Sequence, residues 1–367
     1  MRQFPKNFRV GIDARMIKHS GIGVRLYHIL SNLSKLENTP EIFLFGNPSL
    51  LAEFKSLSKF HIIPYHAEIY SIQELLGHPD MKSMDLLDIP HFNFPIKYIN
   101  KCIVTIHDLT PYVMRDFFSS RIKRIYLQII FRLLRFTKKI ITVSEYTSND
   151  LEKYFGYSHL NSIVIYNAVD HAIFHTKTKS EISNFKIKLN LPENYFLCVG
   201  IGKGHKNFNF LIQSLRDKFL NNEIQTPLVI AGTGGILPDF LSNLILGIEK
   251  FIICLPKIDY SELPLLYAGA KCLLYPSLYE GFGLPLLEAQ ASDCPVLSSN
   301  ASVMPEILRD SALFFDPQKP SELIESILNL ESKSIELIDK GRENAERFNW
   351  NKSALQLLEV YLDCVES

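Results

Sequence analysis

Short runs of Ile, Val, Leu and Phe recur along the chain between longer segments whose apolar residues follow the period of a helix. In the first half, FRVGIDA, EIFLFG, HIIPY, LLDIPH, CIVTIHD, KIITVSE and SIVIYNAV are predicted strands, and in the second half YFLCVG, PLVIAG, FIICLP, KCLLYPS, PVLSS and ALFFD. Most are apolar throughout rather than alternating, as in strands of a parallel sheet covered by helices on both faces. The expected fold class is α/β. The rhythm fails once, in HAIFHTKTKSEISNFKIKLNLPEN, a polar, lysine-dotted stretch that is the best candidate for a domain boundary. After Phe315 the pattern is that of two helices, the last being NKSALQLLEVYLDCVES with Asn349 or Asn351 as N-cap. The expected organisation is a domain over residues 1–172, a second over 173–350 and a final helix over 351–367.

Composition narrows the class. A chain of 367 residues, 47% hydrophobic and 21% charged, is long enough for two ordinary cores. Lys plus Arg and Asp plus Glu balance at 39 each, so no overall field recruits nucleic acid, and charge must act locally. MRQFPKNFRVGIDAR reads as neither a signal peptide nor a lipidation signal, and no run is long enough to span a bilayer. Most cysteines fall in strand-like runs, such as Cys102, Cys198, Cys254 and Cys272, without metal-binding spacing. A reduced, cytoplasmic protein is expected. One segment adds a qualification: RIKRIYLQIIFRLLRFTKKI places Arg121, Arg124, Gln128, Arg132, Arg135 and Lys139 along one narrow helical face. That face suits either a wet edge on a buried helix or contact with an anionic membrane, at its inner surface.

The densest chemical signal is PSLYEGFGLPLLEAQASDCPVLSSN, a predicted strand end running into a helix. Gly281 and Gly283 allow close backbone approach, and Pro285 suits a first helical turn. Unpaired amides at such a start attract anions. Glu280 precedes the turn and Glu288 follows it; carboxylates accept hydrogen bonds only, which suits sugar hydroxyls rather than phosphate. Two carboxylates merely capping a helix is the plainer alternative.

The pattern Glu280-x7-Glu288 with GFGLP, together with VGIGKGHKN, VSEYTSNDL, IYNAVD and TIHD, resembles the family 4 glycosyltransferases of the GT-B fold, over almost the whole chain. The resemblance implies two facing Rossmann-like domains, with the last helix packing back on the first. It implies retaining transfer of a hexose from a nucleoside diphosphate sugar to an acceptor hydroxyl, without metal or other cofactor. By the same similarity Glu280 meets the transferred sugar, Glu288 the ribose, Lys206 the diphosphate and His107 the reacting centre. Gly281, Phe282, Gly283 and Leu284 line the donor, and Gly21 and Gly23 of SGIGVRLYHIL form a loop over its phosphate. His205 stands where the family often has arginine, which leaves one phosphate contact for Lys203 to supply. Asp293 replaces a usual glycine, and aspartate tolerates the left-handed conformation better than most residues.

Plainer readings exist for each: a surface lysine for Lys206, a backbone-satisfying histidine for His107, an ordinary turn for Gly21 and Gly23. Ser144 with Thr147, and Asn167, read as scaffold. The dinucleotide fingerprint G-x-G-x-x-G after a strand is absent, as is the D-x-D of a metal-dependent transferase. An epimerase or phosphorylase on the same fold, and a non-catalytic sugar-nucleotide-binding partner, remain alternatives. The motif set leans toward mannose from GDP-mannose and toward glycan or lipid-linked acceptors of cell-surface polysaccharide.

Overall fold

The computed structural model describes residues 2–114, 121–157, 162–200 and 202–366. The chain forms two compact units, one of residues 1–168 with 350–367 and one of residues 169–349. The first holds a seven-stranded parallel sheet: β1 Arg9–Asp13, β2 Glu41–Gly46, β3 Phe60–Pro64, β4 Leu86–Ile89, β5 Cys102–Ile106, β6 Lys139–Thr142 and β7 Ser162–Val164. Their order is β3-β2-β1-β4-β5-β6-β7. The second holds a six-stranded parallel sheet of β8 Phe196–Val199, β9 Leu228–Ala231, β10 Ile252–Cys254, β11 Cys272–Tyr275, β12 Val296–Ser299 and β13 Leu313–Phe315, in the order β10-β9-β8-β11-β12-β13. Every predicted strand forms. The central ones, such as β4, β5, β9 and β11, are buried at every position, which is why their sequences do not alternate.

The orders have a consequence for function. In each sheet the chain winds outward in one direction and then restarts on the other side, at β1/β4 in the first and at β8/β11 in the second. Loops leaving the C-terminal ends of those adjacent strands diverge, and the gap between them is where open α/β sheets take ligands.

The last helix, Trp350–Glu366, packs against helix Ser20–Leu33 of the first unit. Trp350 stacks on His28 with centroids 5.1 Å apart, and Tyr361 donates to the buried Asp88 at 2.5 Å. Burying two such aromatic side chains contributes roughly 3–6 kcal/mol in area terms, so this return is a substantial part of the first core. Burial raises the Asp88 carboxyl to about 6, against the opposing pull of Tyr361 and Arg25.

Three expectations change. The polar stretch before Tyr195 is not a bare linker: it contains helix Lys179–Lys188, started by a capping box in which Thr178 and Glu181 satisfy each other's backbone amides. That helix packs on helix Leu263–Ala268, so the second unit begins at Val169, ahead of the stretch. Gly21 and Gly23 do not form a loop ahead of a helix. They lie in the first turn of helix Ser20–Leu33, where a Cβ on Gly23 would meet the carbonyl oxygen of Ile17 at 2.6 Å. Close packing explains Gly23. Lys139 is not on the basic helix, which ends at Leu133 before a tight turn over Leu134–Phe136; Lys139 opens β6. Two smaller readings hold. Ser144 caps helix Glu145–Phe155 by accepting from the Thr147 amide, and Asp293 has φ 61°.

Candidate active site

At the second switch point, Lys206 closes a tight turn, Gly204–Lys206, after β8, and Glu280 lies beyond the end of β11. Nζ of Lys206 donates to Glu280 Oε1 at 2.6 Å and to the Tyr275 hydroxyl at 3.2 Å. Burial works against the lysine's charge, but Tyr275 and Glu280 outweigh it and hold the ammonium above its usual range. It stays charged at any physiological pH. The turn is pinned from beneath, since the carbonyl of buried His205 accepts the Leu278 amide at 2.8 Å. His205, where the family pattern often has arginine, thus ties the lysine turn to the glutamate loop. Lys203 is exposed on the same turn.

Helix Leu284–Ala291 begins directly after Glu280-Gly281-Phe282-Gly283. Gly283 is its N-cap at φ 92°, a left-handed conformation that glycine adopts without strain, and no side chain caps the first turn. Its amides are open to an anion. Phe282 is buried with its ring edge-on to Phe348 at 5.6 Å, anchoring the loop, while Leu284 is half-buried. Glu288 follows one turn into the helix, 8% exposed, accepting from the Tyr267 hydroxyl at 2.9 Å. Burial pushes its carboxyl up to about 7, with the Tyr267 bond opposing.

His107 follows β5 in the first unit. Its Nε2 is 2.9 Å from the Pro90 carbonyl, which must accept, so Nε2 carries the proton and Nδ1 keeps its lone pair. Burial and the charge of Arg25 push its pKa down to about 3, so the ring is neutral and accepts hydrogen bonds rather than acting as an acid. Arg25 in turn is buried on helix Ser20–Leu33 and donates to Ile165 O at 3.0 Å and Asn167 Oδ1 at 2.8 Å, which gives Asn167 its structural role.

The first switch point holds a group that sequence reading does not single out. Arg15, two residues past β1, donates to Asp13 Oδ2 at 2.5 Å and Glu74 Oε1 at 2.6 Å, with Tyr65 facing the guanidinium at 4.5 Å. His91, beyond β4, points Nε2 at both carboxylates from 3.5 and 3.6 Å. Asp13, Glu74 and His91 have the spacing of a metal cluster. The chemistry is otherwise: His91 Nδ1 accepts the Asn93 amide at 3.1 Å, so Nε2 bears the hydrogen and has no lone pair for a metal, and the guanidinium already sits against both carboxylates. With one cation for two carboxylates, Asp13 falls far below the usual range although burial opposes it, while burial keeps Glu74 above its own. Glu74 and His91 are remote in sequence from Asp13, and only Asp-Ala-Arg after a strand hinted at the pair.

Residues 179–348 match the family described as Glycosyl transferases group 1, and residues 19–173 match Glycosyltransferase Family 4. The chain belongs to the family 4, group 1 glycosyltransferases. Among relatives of this glycosyltransferase, O-antigen chain mannosyltransferase B of Escherichia coli is 28% identical over 74% of this chain and 72% of its own. O-antigen chain mannosyltransferase RfbU of Salmonella typhimurium is 28% identical over 66% of this chain and 63% of its own. The serotype-specific mannosyltransferase WbdA of Escherichia coli is matched over only 37% of its length. Solved structures share the fold: sucrose-phosphate synthase of Thermosynechococcus elongatus (TM-score 0.73, 17% identity, 98% of this chain and 99% of that one) and HepE of Anabaena with UDP and glucose (TM-score 0.75, 18%, 96% and 98%). The fold of this glycosyltransferase is therefore GT-B.

Proposed function

We propose that this glycosyltransferase moves a hexose, in the first instance mannose from GDP-mannose, to a hydroxyl of a glycan or lipid-linked acceptor in cell-surface polysaccharide or glycolipid synthesis. The observation that carries the reading is the meeting of Lys206 and Glu280 at 2.6 Å beside the open helix start at Gly283, with Glu288 further along the same helix. In this reading Lys206 and the first-turn amides neutralise the departing diphosphate, Glu280 orients the sugar, Glu288 accepts the ribose hydroxyls, and neutral His107 accepts a sugar hydroxyl through Nδ1. Transfer proceeds with retention and needs no divalent cation. The names of the O-antigen relatives support mannose, and HepE, solved with UDP and glucose, is the reason to test UDP-sugars beside it. The test is slow donor hydrolysis: purified protein with GDP-mannose, UDP-glucose and dTDP-glucose in excess EDTA. Release of GDP is expected. Binding without turnover of any donor would indicate a non-catalytic sugar-nucleotide protein, and a strict Mn²⁺ or Mg²⁺ requirement would contradict the role given to Lys206.

The acceptor side of the proposal includes a membrane surface. Helix Arg121–Leu133 and the turn after it bury Leu127, Ile130, Phe131 and Leu134 but expose Ile122 (82%), Ile125 (58%), Ile129 (53%) and Phe136 (53%). Exposed Arg132 and Arg135 and half-buried Arg124 flank that apolar stripe; the side chain of Arg121 lies outside the described residues. An apolar stripe beside arginines suits insertion at the boundary of anionic headgroups and acyl chains. Among the described residues no helix is long and apolar enough to cross a membrane. Replacing Ile125 and Ile129 by Ser, and separately Arg132 and Arg135 by Gln, should each reduce co-sedimentation with phosphatidylglycerol vesicles. Only the arginine variant should lose its deficit as salt rises. Unchanged sedimentation in both variants would reject this contact.

A further inference from the structure

Tyr275 ends β11 immediately before the PSLYEGFG segment, and its side chain is buried. Its hydroxyl accepts from Lys206 Nζ at 3.2 Å, and the ammonium lies 5.2 Å from the ring centroid. The same hydroxyl hydrogen-bonds the Glu280 side chain. A phenol has one proton and free lone pairs, so it accepts from the ammonium while donating to the carboxylate. Burial and the Glu280 charge keep that phenol protonated, above its usual range. Lys206, Tyr275 and Glu280 therefore close a triangle, with each side chain bonded to the other two. The triangle sits against the glycine loop: a Cβ added to Gly283 would come within 3.9 Å of the Tyr275 oxygen.

The triangle is balanced for a site without donor. Lys206 gives its charge to Glu280, yet the function proposed above requires it to meet a diphosphate, which carries more negative charge than one carboxylate. As the ammonium is drawn toward the phosphates, Glu280 loses its cation. Its backbone is fixed on both sides by Ser302, whose hydroxyl accepts the Glu280 amide at 3.2 Å and donates to the Glu280 carbonyl at 2.9 Å. Ser302 itself has φ 53°, a left-handed conformation that a serine does not adopt for nothing. That clamp fixes the main chain but not the carboxylate. We infer that Tyr275 is the positioning residue that holds the Glu280 carboxylate in place for the donor sugar once Lys206 has turned to the diphosphate. The inference rests on the proposed transferase reading and adds to it a residue acting only through Glu280.

Tyr275→Phe keeps the buried ring and removes the hydroxyl. Turnover of GDP-mannose should fall about ten-fold, the worth of one hydrogen bond to a charged group. GDP binding by calorimetry should stay within about two-fold, because the diphosphate itself aligns Lys206. In a Glu280→Gln background the same change should cost less than about two-fold further, since Tyr275 then has no carboxylate to hold. Were UDP-glucose the donor turned over, UDP and UDP-glucose would be the probes. A Tyr275→Phe variant with wild-type turnover, one losing GDP affinity in parallel with turnover, or one whose effect persists in full beside Glu280→Gln overturns the inference. Wild-type protein that turns over no donor overturns the transferase reading first and the inference with it, a result separable from a matched pair of active proteins.

Discussion

Glu288→Ala should weaken GDP binding by roughly ten- to a hundred-fold, the loss of about 1.5–3 kcal/mol of hydrogen bonding to a charged acceptor, with a smaller change in kcat. Glu280→Ala should do the reverse, lowering kcat while GDP binds nearly normally. The difference follows from what each carboxylate is proposed to touch. Ribose does not react, so its contacts are equal in ground and transition states and appear in binding, whereas contacts with a ring acquiring positive character appear in the rate. Glu288 also predicts the pH dependence. Its carboxyl is pushed up to about 7 by burial, and ribose hydroxyls need the ionised form as acceptor. GDP affinity should therefore be complete above about pH 7 and fall as pH drops from 8 to 6, and Glu288→Gln should flatten that slope. For folding the sign is opposite: a carboxyl raised in the folded state contributes stability that is present below the unfolded range and is lost as pH rises through 7. Calorimetry at several pH values, beside thermal melts, separates the two. If Glu280→Ala abolishes GDP binding while Glu288→Ala spares it, the two roles are exchanged.

Arg15→Met should destabilise the first unit by about 3–5 kcal/mol, the usual result of removing one partner from a buried ion pair. The side chain is 6% exposed and bonds Asp13, Glu74 and the Ala67 carbonyl, so its loss strands two buried carboxylates beside His91. Such a loss is a large part of a typical 5–15 kcal/mol stability. The pH sign is fixed by Asp13, whose pKa is depressed: its contribution exists above the unfolded carboxyl range and is lost as pH falls. Acidification should consequently narrow the gap between wild type and Arg15→Met, because the stranded carboxylates protonate. Adding Asp13→Asn and Glu74→Gln to Arg15→Met should recover much of the loss at neutral pH. A variant that melts within a degree of wild type at pH 7.5 would show that the cluster is not held by its charges.

The architecture was legible because hydrophobic pattern is local. Each strand announces itself by a short apolar run, and parallel strands, buried on both faces, do so without alternation. The helix start at Gly283 and the spacing of Glu280 and Glu288 were legible for the same reason: glycine, proline and carboxylate act on their own neighbourhood. Even the missed helix Lys179–Lys188 carried its signal, the capping box of Thr178 and Glu181, hidden by a polar surface with little apolar stripe.

What sequence alone determined, then, is the set of elements, the family and the residues carrying its chemistry. Tertiary structure decided which of them meet. That Lys206 pairs with Glu280 and Tyr275 depends on β8 and β11 lying side by side, an adjacency set by strand order rather than by any local signal. That Arg15 joins Asp13, Glu74 and His91 depends likewise on β1 pairing β4. Protonation belongs to this second class. The neutral state of His107 and the raised carboxyl of Glu288 come chiefly from removal of water by residues distant in the chain. A sequence names the titrating group, but burial, which only packing creates, sets where it titrates.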